Sequence, residues 1–113
     1  METNMSRVQG AVSQHERELA ELRADRELAV EYLRAALQSL DNPQDRAAGL
    51  QALRAVAEAH GGLATVAAKA DISRESLYRA LSPKGNPTLK TLAAVLKTLD
   101  LRLSVEPAHQ EPA

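Results

Sequence analysis

The sequence predicts an all-α protein, a small helical bundle that contains a helix-turn-helix and ends in a short C-terminal β-strand. Apolar residues recur at three- and four-residue spacing along most of the chain, which is typical of amphipathic helices. Two short helical patterns flank a three-residue turn near residue 72, and apolar and polar residues alternate clearly only near the C-terminal end. With 113 residues and 44% apolar content, we expect one domain with one small core.

Composition excludes several classes of protein. The chain has no Cys, which excludes a disulfide framework and a cysteine nucleophile. Its apolar runs are far shorter than the about 18 residues that span a bilayer, and its first residues lack the pattern of a signal peptide. We therefore expect a cytoplasmic protein with no membrane partner. The expected organisation is a flexible N-terminus (1–14), one helix-turn-helix domain with an N-terminal helical extension (15–106) and a C-terminal tail (107–113).

Two helices are predicted in the N-terminal extension. The first runs from about His15 to Leu22 and has Leu19 and Leu22 as its large apolar residues. Asp25 is suited to cap the second, because its carboxylate accepts from free backbone N–H groups of the first turn. Apolar residues at helical spacing then predict one buried face, made of Leu28, Tyr32, Leu33, Ala36, Leu37 and Leu40.

A third helix is predicted after the Asp41-Asn42-Pro43 break. Asn42 would cap it and Pro43 would occupy the first helical position, where the missing N–H costs nothing. The helix runs to about Ala59, before Gly61-Gly62 ends it. Its inward residues are predicted to be Leu50, Leu53, Val56 and Ala57.

The next segment has the length pattern of a helix-turn-helix. Leu63 to Ala70 is predicted as a helix of two turns, Asp71-Ile72-Ser73 as the turn, and Arg74 to Leu81 as a second two-turn helix. Ala67 is small enough to let the two helices approach closely. The residues expected to close the corner are Val66, Ala70, Ile72, Leu77 and Ala80.

The second of these helices carries the candidate DNA-reading residues. Ser73 is suited to cap it, and the remaining free N–H groups of its first turn suit a phosphate oxygen. With Leu77, Ala80 and Leu81 turned inward, the helical period leaves an outward polar set, namely Arg74, Glu75, Ser76, Tyr78 and Arg79.

Each outward side chain has a plausible role on DNA. Arg binds guanine O6 and N7 bidentately, Glu accepts from cytosine N4, and Ser suits a phosphate or a base edge. The alternative is that Arg74 and Glu75 only decorate a solvated helix. For Arg79 we favour DNA contact, and for Tyr78 we favour packing of the ring with the hydroxyl exposed.

The net charge of −1 hides a split along the chain. Residues 1–45 carry nine acidic and five basic side chains, hence −4, whereas residues 46–113 carry six acidic and nine basic, hence +3. Lys84 and Lys90 flank the end of the presumed reading helix, where they would contact the phosphate backbone without sequence preference. A merely solvated basic face is the alternative.

The last elements are a helix and a strand. After the Ser82 to Gly85 loop, Asn86-Pro87 is predicted to start a helix from about Thr88 to Leu99. Its predicted buried stripe consists of Leu89, Leu92, Ala93, Leu96 and Leu99. Alternation over 101–105 predicts a strand, which needs a partner and could pair with its copy in a homodimer.

The chain resembles the probable addiction module antidote proteins, which are HigA-like antitoxins in the lambda-repressor-like (XRE) helix-turn-helix group. The similarity covers "DRELAVEYLRAAL" (25–37), "ALRAVAEAHGGL" (52–63), "SRESLYRALSPKGNPTLKTL" (73–92) and "LRLSV" (101–105). It implies an all-helical protein that binds operator DNA, represses its own operon and neutralises a co-encoded RelE/HigB-like toxin. Asp71 and Asp100 stand where the family usually has Gly, and Asp tolerates the left-handed conformation better than most residues.

The toxin contact is expected on the acidic N-terminal helices. Ribonucleases tend to expose basic surface, and Glu27 and Glu31 lie four residues apart in the −4 half of the chain. Like charges at that spacing could instead serve only solubility.

Three other functions are alternatives to an antitoxin. An enzyme is not expected, because His15, His60 and His109 are far apart and fit no metal spacing, and no cofactor motif is present. A pure protein-interaction module would use the acidic half to bind a basic partner and the helix-turn-helix only for packing. An orphan transcriptional regulator without a toxin differs from an antitoxin only in its neighbouring gene.

Overall fold

A computed structural model describes residues 14–108, and this part of the chain contains six helices and no strand. Helix α1 covers residues 14–24. It is followed by α2 (Arg26–Ser39), α3 (Arg46–Ala59), α4 (Gly62–Ala70), α5 (Arg74–Ala80) and α6 (Leu89–Thr98). The predicted flexible N-terminus lies outside the described residues except for Gln14, and the predicted tail is described only at 107 and 108.

One aliphatic core joins the helices. Its buried residues form a single cluster from Leu22 on α1 to Leu96 on α6. Helix α2 packs along α3, and α4 contacts α3, α5 and α6. The largest fully buried side chains are Leu22, Leu50, Leu53, Leu77, Leu81, Val56 and Val66. Because these are all aliphatic, the hydrophobic effect and close packing stabilise this core.

The N-terminal helices form as predicted. Asp25 caps α2, and its carboxylate accepts from Leu28 N at 3.1 Å. The buried side chains of α2 are Ala29, Leu33 and Ala36, while Leu28 and the other predicted residues are partly buried. Helix α1 is tied to its neighbours by Arg23 Nε, which donates to Ala59 O at 2.9 Å.

The predicted start of α3 is wrong by three residues. Residues 43–45 form turns instead of the first helical turn, and the helix begins at Arg46. The Asn42 side chain accepts from Gln44 N at 3.0 Å, and Asp45 N donates to Asn42 O at 2.9 Å. Asn42 thus closes a local turn, which competes with capping for the same side chain. The end at Ala59 and all four predicted inward residues are confirmed.

The start of α6 differs from the prediction in the same way. Thr88 is the cap, and its hydroxyl accepts from Thr91 N at 3.1 Å, so Asn86 and Pro87 both precede the helix. Leu89 is 71% exposed and Ala93 is exposed, because both lie on the flank of the stripe that packs inward. That stripe consists of Leu92, Val95, Leu96 and Leu99.

The predicted C-terminal β-strand is wrong, although the helical class broadly fits. Residues 101–107 have no regular secondary structure. The left-handed Asp100 ends α6, and Leu101 N donates back to Leu96 O at 2.9 Å. Leu101 and Leu103 pack on the core, whereas Val105 is 95% exposed. Two of the three alternating apolar residues therefore contact the core from an irregular segment, and no strand among residues 14–108 is available to pair with it.

No helix within residues 14–108 combines the length and apolarity needed to cross a bilayer.

Candidate nucleic-acid interface

The corner between α4 and α5 is built around a left-handed aspartate. Asp71 adopts φ 60° and ψ 42° at the end of α4. Its N–H donates to Ala68 O at 3.2 Å, and Ile72 N donates to Ala67 O at 3.0 Å. These two bonds satisfy the last carbonyls of α4 and turn the chain toward α5. The left-handed conformation expected at Asp71, and also at Asp100, is confirmed.

Ser73 caps α5, as the sequence predicts. Its backbone is extended, and Oγ accepts from Ser76 N at 2.9 Å. Ser73 Oγ also donates to Ser76 Oγ at 2.8 Å. The hydroxyl proton of Ser73 is therefore engaged, whereas the hydroxyl proton of Ser76 is left for an outside acceptor.

The predicted division of α5 into inner and outer faces is largely confirmed. Leu77 is 0% and Leu81 is 2% exposed, and Ala80 is partly buried. The five side chains of the outer face are all exposed: Arg74, Glu75, Ser76, Tyr78 and Arg79. A seven-residue helix thus presents a continuous polar surface, while Leu77 and the C-cap residue Leu81 attach it to the core.

The cations around this corner are not neutralised within the described chain. Within residues 14–108 the ion pairs are His15 with Glu58 and Arg34 with Glu31, both outside the helix-turn-helix. Lys84 and Lys90 are exposed, and Lys90 lies in the first turn of α6. Four exposed cations around the corner are therefore accessible to an anionic partner: Arg74, Arg79, Lys84 and Lys90.

Sequence reasoning missed Arg54. Its guanidinium carbon lies 4.2 Å from the centroid of the Tyr78 ring, so a side chain of α3 reaches the outer face of α5. The two residues are 24 positions apart, and the apolar periodicity of one helix does not predict which residues of another helix it contacts. Tyr78 is 45% exposed, with its ring packed on Arg54.

The loop after α5 is held by Arg46, which sequence reasoning also missed. The Arg46 guanidinium donates to Leu40 O at 2.8 Å, Gly85 O at 3.3 Å and Asn86 Oδ1 at 2.7 Å. Gly85 is buried, and a Cβ there would lie 2.1 Å from Ala80 O. These contacts fix the segment that carries Lys84 against the end of α5.

The two acids expected to contact a toxin lie on α2, apart from the outer face of α5. Glu27 is in the first turn of α2, where a negative charge is favoured by the helix dipole. Glu31 is 66% exposed and forms an ion pair with Arg34 on the next turn. Glu31 is therefore partly neutralised, which the spacing of the acids did not indicate.

The histidines do not converge in the described chain. His15 Nε2 lies 4.0 Å from Glu58 Oε1, and His60 Nδ1 lies 2.9 Å from Val56 O. His109 lies outside the described residues. No cluster of three or more potential metal ligands occurs within residues 14–108. The expectation that the protein is not an enzyme stays a prediction.

The helices described above coincide with the extent of a known family. The sequence model described as "Probable addiction module antidote protein" matches residues 14–107. The chain belongs to this family. The description of this family names an antidote of an addiction module.

A curated relative gives a narrower match. An uncharacterised protein of Haemophilus influenzae (strain Rd) is 46% identical over 57 residues, which are 50% of this chain and 58% of the relative. The alignment thus spans little more than half of that relative. No solved structure matches the chain significantly.

Proposed function

We propose that this antidote protein is a DNA-binding antitoxin of a type II toxin-antitoxin module, which represses its own operon and neutralises a co-encoded RelE/HigB-like toxin. The observation that carries the DNA-binding part is the corner of α4 and α5, where a capped helix exposes five polar side chains beside unpaired cations. The protein acts by binding and not by catalysis, and it needs no cofactor.

On DNA, α5 acts as the recognition helix in the major groove. Arg74 and Arg79 bind guanine O6 and N7, and Glu75 accepts from cytosine N4. Ser76 donates its free hydroxyl proton to a phosphate or a base edge. Lys84 and Lys90 contact the phosphate backbone and increase affinity for any sequence. Ser73 contributes by capping α5 and setting its first turn.

The active form on the operator is a homodimer. One seven-residue reading helix contacts too few base pairs for a specific site, and helix-turn-helix dimers read two half-sites about 34 Å apart or a multiple of it. Light scattering should therefore give a mass of twice 12.2 kDa at tens of micromolar protein. A monomer that occupies a single half-site would contradict this part.

Toxin contact is assigned to the acidic N-terminal helices. Residues 1–45 carry a charge of −4, which complements the basic surface expected of an RNA-cleaving toxin. Glu27 and Glu31 are both exposed on α2. Glu31 must exchange its partner Arg34 for a cation of the toxin, so Glu27 is the more available of the two.

A gel-shift titration against the protein's own promoter tests the repressor role. Promoter DNA should be bound much more tightly than random DNA, with affinity falling steeply between about 50 mM and about 200 mM salt because counterions are released. Equal affinity for promoter DNA and random DNA would contradict the repressor role. Co-expression with the neighbouring reading frame, followed by co-purification, tests the toxin partner; failure to co-purify would favour an orphan regulator.

A further inference from the structure

The contact between Arg54 and Tyr78 joins α3 to the outer face of α5. The guanidinium lies over the ring, with 4.2 Å between its carbon and the ring centroid. A planar cation on the face of an aromatic ring is attracted by the negative charge of the π system, and Arg adds dispersion through stacking. This is the only ring in the described chain that such a cation covers.

Arg54 lies on a helix that is anchored in the core. Leu50, Leu53 and Ala55 on the same helix are 0%, 1% and 7% exposed, so α3 is anchored in the core on both sides of Arg54. Arg54 itself is partly buried and has no ion pair with any residue in 14–108. Its guanidinium is therefore positioned by the fold and by the ring.

Tyr78 is half-exposed, and its ring is packed on Arg54. It is 45% exposed on a helix of seven residues, and α5 is attached to the core by Leu77 and Leu81. An exposed side chain that must be ordered on binding loses rotamer entropy at that moment. A ring that is already held in the free protein avoids this loss.

We propose that Arg54 is a positioning residue of the DNA-reading surface, which by stacking on Tyr78 makes the tyrosine a specificity contact for operator DNA. This inference rests on the proposed function and adds Arg54 to the surface through α3. Tyr78 offers a hydroxyl to a base edge or phosphate, and Arg54 acts through the ring instead of binding the DNA itself.

The decisive variant is Arg54→Lys, which retains the positive charge but lacks the planar group that stacks. We expect operator affinity to fall by no more than about two- to fivefold, the contribution of a whole partly exposed cation–π pair, because lysine keeps the attraction of its charge to the ring and loses only the stacking. Affinity for random DNA and the dependence of binding on salt should stay unchanged. The matched control is Arg34→Lys on α2, an exposed arginine remote from α5 in sequence, which should leave both affinities unaltered.

A double-mutant cycle separates positioning from direct contact. In a Tyr78→Leu background, Arg54→Lys should have no further effect on operator binding, because the ring through which it acts is gone. Tyr78→Phe should lose operator affinity while it retains the stack. Ring-current shifts of the Arg54 side-chain protons in NMR spectra, present in wild type and absent in Tyr78→Leu, report the stack without DNA, and urea midpoints confirm that each variant is folded.

Several results would overturn the inference. One is operator binding by Arg54→Lys equal to that of wild type. Another is an equal loss of operator affinity when Arg54→Lys is introduced into the wild type and into the Tyr78→Leu variant. A salt slope that falls by about 0.9 in an Arg54→Met variant would make Arg54 a direct phosphate ligand. If wild type binds the operator specifically and these variants do not differ from it, only the inference fails. If wild type does not discriminate its promoter, the proposed function and the inference fail together.

Discussion

The Arg46 guanidinium lies 2.7 Å from Asn86 Oδ1, although 40 residues separate them. The same side chain reaches two backbone carbonyls, Leu40 O before α3 and Gly85 O after α5. One partly buried arginine at the first position of α3 thus connects the α2–α3 turn to the loop that follows α5.

Replacing Arg46 with Ala should lower the free energy of unfolding by about 1 to 2 kcal/mol, because charge-assisted hydrogen bonds to three acceptors are lost at a partly solvated site. Urea denaturation measures this. Arg34→Ala is the control, since its exposed pair with Glu31 should contribute about 0.5 kcal/mol or less. Equal effects of the two changes would show that the Arg46 contacts do not stabilise the fold.

Gly85→Ala should destabilise the protein by about 3 kcal/mol, because the new Cβ would lie 2.1 Å from Ala80 O and only backbone movement can relieve that overlap. Gly62→Ala is the matched comparison. Its Cβ meets nothing within 4 Å, but φ is 89°, so only conformational strain of about 1 kcal/mol is expected. Thermal or urea unfolding measures the loss of stability in each of the two variants. A smaller effect at Gly85 than at Gly62 would contradict the steric argument.

Asp71→Gly should raise the free energy of unfolding by about 0.5 to 1 kcal/mol. Glycine removes the cost of a side chain at φ 60° and also a negative charge at the C-terminal end of α4, where the helix dipole disfavours it. Asp71→Asn isolates the charge effect, and Asp71→Ala, which keeps a Cβ and loses the tolerant side chain, should be less stable than glycine. A higher urea midpoint for Asp71→Ala than for Asp71→Gly would contradict this account.

The protein should become less stable at alkaline pH, because Tyr32 loses its phenolic proton there. Its hydroxyl donates to Glu18 Oε2 at 2.9 Å, and this hydrogen bond, followed by burial and the charges of Glu18 and Glu21, raises the pKa of Tyr32 above 10.0. The folded state therefore holds the phenolic proton more tightly than the unfolded state. The stabilisation is complete at pH values below the ordinary tyrosine pKa, and it is lost as the pH rises through the pKa of Tyr32 in the folded state.

The test of this linkage is urea unfolding from about pH 8 to about pH 11. Wild type should lose stability above about pH 10 more steeply than Tyr32→Phe, which has no phenolic proton there. Tyr32→Phe should also be less stable than wild type at neutral pH, because the Glu18 carboxylate loses its donor. Parallel pH profiles for the two proteins would exclude the proposed cause.

DNA reading and toxin neutralisation should be separable by surface changes. Arg79→Ala should weaken promoter binding by about one to two orders of magnitude, equivalent to about 1 to 3 kcal/mol for a bidentate base contact, while toxin rescue in cells survives. Glu27→Lys should do the reverse. Truncation before Asn42 is unsuitable, because α2 supplies Leu33 and Ala36 to the core. If Arg79→Ala abolishes toxin rescue and leaves the gel shift intact, the outer face of α5 binds the toxin and the assignment of the two surfaces is wrong.

Several interactions between near neighbours were predicted correctly from the sequence. The caps at Asp25 and Ser73 and the left-handed conformation at Asp71 each depend on atoms within a few residues, so local chemistry determines them. The caps predicted at Asn42 and Asn86 failed because both side chains have other partners. Asn42 accepts from Gln44 N, and Asn86 accepts from Arg46, which is remote in sequence.

The sequence by itself determined the helical class, the α4–turn–α5 corner and which side of α5 carries polar residues, because periodicity and capping act over one or two turns. Only the tertiary structure decided that Arg54 covers Tyr78, that Arg46 holds the loop after α5, and that Leu101 and Leu103 pack on the core from an irregular segment instead of a strand. Those outcomes depend on which helices meet and at what distance. Packing sets these relations between segments remote in the chain, and no local pattern encodes them.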